Sequence, residues 1–237
     1  MTSQPRFDVK AGVILAVMFI AVWILWDTPI VYPIKIFVVC LHELGHALAT
    51  LLTGGQVLSI QIFPDEGGLT TTRGGWPFII LSAGYVGSLL AGGVLLYLSS
   101  QRHWGRRLMT ALAVLLVLST LLFFRNGFAV LYGLLAAAAM FFSAYRLPVQ
   151  VNTYIVRFMA VASCLYAILD IRSDLFMTVV PAGPGAGAVN DAVALSQLTG
   201  LPAILWAVLW MAISLILLVF FLKSSLRLSE RGLTRAR

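Results

Sequence analysis

An all-α polytopic membrane protein with about seven transmembrane helices (six to seven), and a small β-hairpin after the second, is the fold this sequence predicts. Three observations carry that expectation. Of 237 residues, 60% are hydrophobic and only 11% charged, with a mean hydropathy of +0.97, which is membrane rather than globular composition. Separate apolar runs of about 20 residues, each enough for the roughly 30 Å hydrocarbon layer, recur from residue 11 to residue 222. Between two of them, residues 55–75 break the helical pattern and alternate in the manner of strands.

The first span covers about 11–31. Arg6 and Lys10 precede it as in a signal peptide, but Trp26 and Asp27 stand where a small-residue cleavage site belongs, so it reads as retained. The second, about 34–53, follows a Pro33-containing turn. In the hairpin, Val57, Ser59, Gln61 and Phe63 alternate with Leu58, Ile60 and Ile62; Pro64 to Gly68 form the turn, and Leu69 to Arg73 return. The third span, about 76–98, holds Gly84, Gly87, Gly92 and Gly93, where a missing side chain lets another helix approach closely. Spans four and five, about 108–124 and 127–144, form a helical hairpin around Arg125 and Asn126. Span six runs over about 155–178, and a Pro- and Gly-rich loop, 181–200, separates it from span seven, about 202–222. A basic tail, 223–237, completes a single domain with its core at about 34–178.

The net charge of +7 sets orientation in the bilayer rather than affinity for nucleic acid, because the basic residues lie in loops and tail. Cys40 and Cys164 fall in apolar runs without ligand or redox spacing and read as inert thiols. Seven spans put the termini on opposite sides. With the C-terminus cytoplasmic and the N-terminus outside, eleven of the sixteen Lys and Arg are inside, the arrangement that the positive-inside rule favours.

Chemistry concentrates in span two. His42 and His46, four residues apart, differ by only about 40° around a helix and lie one turn apart on one face, so they can share one ion. Glu43 reaches a water on that ion without being a ligand, as a general base in zinc-dependent hydrolysis does. Glu43 also falls near the middle of its span, where an ionisable group costs about 2.5–3.5 kcal/mol, and an adjacent divalent cation offsets that cost. The bland alternative is a pair of histidines that satisfies a buried carboxylate with no metal.

A catalytic zinc needs a third protein ligand. His103, in a basic loop, reads as solvated. Asp170 and Asp174 lie within span six, and at about 1.5 Å per residue Asp170 is closer in depth to His46; it is the preferred ligand, with Asp174 the lesser alternative. The unchosen aspartate would orient the site or pair with Arg172. Asp191, in the Asn190-Asp191 pair of the long loop, is a more distant candidate, with helix capping the plainer reading.

The run from Val39 to Ala49, the hairpin after it, the stretch from Ala83 to Ser88, and Leu169-Asp170-Ile171 resemble the site-2 protease family of intramembrane zinc metallopeptidases, in its compact multi-pass branch without a PDZ domain. The resemblance covers about 36–178. It implies zinc, peptide-bond hydrolysis in or beside the membrane, and a β-strand platform that aligns an unwound substrate. It also implies His42 and His46 as ligands, Glu43 as base and Asp170 as third ligand. The chain departs from the family in having isoleucine after that aspartate, where glycine is common, and no Asn-Pro pair before it.

The expected function is therefore that of a zinc metalloendopeptidase in a bacterial inner or plasma membrane, whose partners are the lipid bilayer and a transmembrane protein substrate. The alternatives from other classes are a zinc-binding membrane transporter and a non-catalytic protease-like scaffold. Against the first stands a glutamate placed as a base; against the second, the survival of all three motif residues.

Overall fold

The computed structural model describes residues 8–101, 103–179 and 190–234, without the side chains of residues 170, 172–179 and 227–234. The elements in chain order are α1 (Val9–Leu25), α2 (Tyr32–Leu52), β1 (Gln56–Ile62), β2 (Gly68–Arg73), α3 (Pro77–Ser99), α4 (Trp104–Leu122), α5 (Gly127–Arg146), α6 (Val149–Val179), α7 (Asp191–Thr199) and α8 (Ala203–Thr234). Six of these helices, α2 to α6 and α8, are long and apolar enough to cross a membrane, while α1 is a shorter apolar helix of 17 residues. The boundaries follow local chemistry. Asp8 caps α1 by accepting from the Ala11 amide, and prolines open α2 and α3, where a missing N–H costs nothing.

The expected hairpin is present. β1 and β2 pair antiparallel, with Ile60 opposite Thr70 and Ile62 opposite Gly68, and a register shift between Val57 and Ser59. Ile60 and Ile62 are fully buried, whereas Leu58 and Leu69 are exposed. The outer edge of β1 is closed from far along the chain. Ile60 donates its amide to the Phe123 carbonyl at 2.8 Å and accepts from the Arg125 amide at 3.1 Å. The Asn126 amide donates to the Ile62 carbonyl and accepts from the Ile62 amide. The turn between α4 and α5 thus serves as a short third strand, and only the far edge of β2 lacks a strand partner among the described residues.

Helix α3 is the axis of the bundle, packing on α2, α6, α7 and α8. Its glycines do what their spacing suggested: a Cβ on Gly92 would stand 2.9 Å from the Ala160 carbonyl of α6, so the backbones meet there. Ser163 donates to the Ser88 carbonyl at 2.7 Å in the same interface. Further along, Arg157 of α6 donates to the Ser99 carbonyl, so α3 and α6 run antiparallel.

One sequence-based expectation is overturned. The start of α1 lies beside the end of α8, Gly12 facing Leu226, so the two ends of the described chain share one side of the bundle. The reason lies in α2, which is long enough to cross but does not carry the chain across. Near its start, Lys35 sits 5.0 Å over the ring of Trp26, which packs on Tyr166 well along α6. At its other end, Thr53 accepts from the Trp76 amide at the start of α3. Both ends of α2 therefore lie in the half of the bundle that holds the beginning of α3.

Candidate metal centre

The histidines of the His42–His46 pair lie on the face of α2 that meets the first turns of α3. His46 Nδ1 is 2.7 Å from the Ile80 carbonyl, which cannot donate, so the proton is on Nδ1 and the Nε2 lone pair points into the site. His42 is held by packing: its ring meets Tyr85 edge to face at 4.8 Å, and its Nδ1 is buried with no hydrogen-bond partner. Gly45, between the two, lets α2 press against the Ala83 backbone, too close for any Cβ. Gly84 leaves open the space in front of both rings, where a Cβ would stand 2.6 Å from His46 Nε2 and closer still to His42.

Asp191 completes the cluster. Its Oδ2 is 3.2 Å from His42 Nε2 and 3.2 Å from His46 Nε2. It occupies the first turn of α7, a nine-residue helix capped by Asn190, whose side chain accepts from the Val193 amide, and closed by Gly200 in the left-handed conformation. The apolar face of this helix, Ala192 and Leu195, is buried with Tyr85, Ile171, Ala207 and Trp210 of α3, α6 and α8. The dipole at the helix N-terminus favours the carboxylate there.

These three atoms are what a divalent metal needs. Asp191 Oδ2 is buried without a hydrogen-bond donor, although two ring nitrogens stand close to it. A carboxylate oxygen beside the lone pair of His46 repels it unless a cation sits between them. Ligands about 2.0–2.1 Å from a tetrahedral zinc stand about 3.3 Å from one another, close to the separations seen here. The residues present therefore fit a zinc ion, with Gly84 leaving room beside it.

Glu43 does not join the cluster. Its carboxylate accepts from Thr70 Oγ1 of β2 at 2.6 Å, and Gly68 of the same strand lies so close that a Cβ would collide with it. The hairpin thus braces the glutamate beside the histidines, and Glu43 is buried.

Of the sequence-predicted site residues, His42 and His46 face one another at the cluster, and Glu43 lies beside them on α2 with its carboxylate on Thr70. The backbones of Asp170 and Asp174 lie in α6, and their side chains lie outside the described residues. Asp191, ranked behind both, is the carboxylate at the histidines. A signal for it was present: Asn190 before Asp191, with Gly200 beyond, brackets a short helix and sets an acid in its first turn.

A family model described as Peptidase M50B-like matches residues 15–221, from within α1 into α8. No curated protein and no solved structure gave a match.

Proposed function

The chain belongs to the peptidase M50B-like family, and from that membership and the geometry of the site we propose that it is a zinc-dependent endopeptidase cleaving membrane-spanning proteins. The match bears out the resemblance to site-2 proteases, and with six apolar helices it makes the chain an integral membrane protein of a peptidase family. The reading beyond that rests on one observation. His42 Nε2, His46 Nε2 and Asp191 Oδ2 converge with no donor on the oxygen, beside a separately braced Glu43 that follows His42 directly in α2.

In this reading His42, His46 and Asp191 hold the zinc. When bound, the metal supplies Lewis-acid polarisation of a carbonyl and lowers the pKa of water toward about 7. Glu43, kept off the metal by Thr70, accepts the proton of the attacking water and returns it to the leaving amine. Thr70 links this base to β2, whose outer edge lacks a strand partner among the described residues. A helical substrate hides its carbonyls in hydrogen bonds, and an unwound stretch laid along β2 would present one beside Glu43 by strand addition. The separate bracing of Glu43 favours hydrolysis over transport, since a transport site has no use for a carboxylate held beside its metal rather than on it.

The test is cleavage of a model transmembrane substrate by the reconstituted protein, wild type against Glu43→Gln, with zinc content measured for both. The variant should keep its zinc and lose at least about 100-fold in rate, the scale of general-base catalysis. Equal rates at equal zinc would remove Glu43 from the mechanism.

A further inference from the structure

We propose that the start of α1 and the end of α8 lie on the cytoplasmic side and that the metal centre lies toward the opposite side, so that its substrates are cut toward the extracytoplasmic end of their spans. The substrate clause rests on the peptidase reading above; the orientation does not.

The position of the site comes first. Ile80 and Gly84, which meet His46 and His42, are in the first two turns of α3. Asp191 comes from α7, packed on the starts of α3 and α8, where Trp206 of α8 also meets Phe78. The site therefore lies toward the end of the bundle where α3 and α8 begin and α6 finishes. The opposite end collects the starts of α1, α4 and α6 and the end of α8: Gly12 faces Leu226, Gly105 meets Thr153, and Arg157 reaches Ser99.

Charge separates these two ends. Of the sixteen Lys and Arg, Arg6, Arg102, Arg235 and Arg237 lie outside the described residues, and each adjoins in sequence the end far from the site. Of the other twelve, only Lys35, Arg73, Arg125 and Arg172 lie toward the site. One of those four is internally neutralised: Lys35 is paired with Glu66 at 2.9 Å. Arg125 keeps its charge and donates to carbonyls of its own turn. The remaining eight lie at the far end, in the first turns of α1 and α4, at the end of α5, at Arg157 and along the last turns of α8. Lys and Arg that flank spans within about 15–20 residues are retained on the cytoplasmic side. The folded arrangement sharpens the bias, because it places Lys10 at the same end as Lys223 rather than opposite it.

The orientation can be read without any catalysis. Cys40 and Cys164 are fully buried, so the native thiols give little background to an added one. Single cysteines are placed at exposed positions of the full chain: Gln197→Cys on the outer face of α7, Gln150→Cys at the start of α6 and Val9→Cys at the start of α1. Each variant is checked for a monodisperse detergent-solubilised peak, then exposed in spheroplasts to a membrane-impermeant maleimide. Gln197→Cys should label at once, and the other two only after the membrane is opened. The reverse pattern would turn the site toward the cytoplasm and overturn the proposal. Labelling of Val9→Cys and Gln150→Cys from different sides would contradict the shared side of the two chain ends. A Gln197→Cys that stays unlabelled after opening would contradict α7 as the outer cover of the site.

Discussion

Two histidines that face one site are oriented here by different means, and the difference matters for what the site tolerates. His46 is fixed by a hydrogen bond to the Ile80 carbonyl, which also sets its tautomer. His42 has no such bond and depends on the Tyr85 ring and on the closeness of α3. Gly84 is the residue on which both rely, since any side chain there enters the space in front of the two Nε2 atoms. Gly84→Ala is therefore expected to weaken zinc binding beyond the roughly 10–100-fold typical of altered outer-shell contacts, while the helix-favouring substitution leaves the fold intact. Zinc affinity by competition with a chelator, beside far-ultraviolet circular dichroism, checks this; unchanged affinity would show that the metal does not sit before Gly84. At this scale the sequence was readable where chemistry is local. Spacing alone placed His42 and His46 on one helix face, with Glu43 beside the first of them. Asp191 was not readable the same way, because matching carboxylates by depth considers only residues within spans, and Asp191 enters from a short helix between them.

The hairpin is the element whose sequence signal was strongest and whose context was least visible. Alternation of Val57 to Phe63 and the turn residues at 64–68 were sufficient to place two strands. Nothing local shows that the β1 edge is closed by residues 123–126, some 64 positions away, through Asn126 and the Phe123 and Arg125 backbones. That closure leaves β2 as the free edge and, through Thr70, steadies Glu43. Asn126→Leu should cost about 1–3 kcal/mol, the penalty of leaving the Ile62 amide and carbonyl without partners. It should also slow cleavage more than it reduces zinc content. Thermal unfolding in detergent, run beside the zinc and cleavage assays, measures each effect. Loss of zinc with no loss of rate per bound metal would mean that the hairpin supports the ligands rather than the base. Helix α7 was missed for a related reason: nine residues give too short an apolar pattern to stand out, and only its caps, Asn190 and Gly200, mark it.

For the whole molecule, hydropathy found the apolar segments to within a few residues but not their path. A largely apolar helix of 21 residues reads as a crossing, yet α2 starts and ends in the same half of the bundle, held by Lys35 on Trp26 and by Thr53 on Trp76. Counting spans therefore put the start of α1 on the wrong side relative to the later turns of α8, because side-to-side parity depends on tertiary contacts that no window of sequence contains. The same contacts bring residues 42 and 46 together with residue 191, so that a bound metal would tie α2 to a helix almost 150 positions later. An ion that binds only this folded arrangement stabilises it by mass action. The central claim is that His42, His46 and Asp191 hold one zinc, and its most direct test is zinc stoichiometry of the purified protein with Asp191→Asn and Asp170→Asn compared against wild type. The account predicts one zinc per chain in the wild type and in Asp170→Asn, and little or none in Asp191→Asn. Retention of zinc by Asp191→Asn, with its loss from Asp170→Asn, would contradict it.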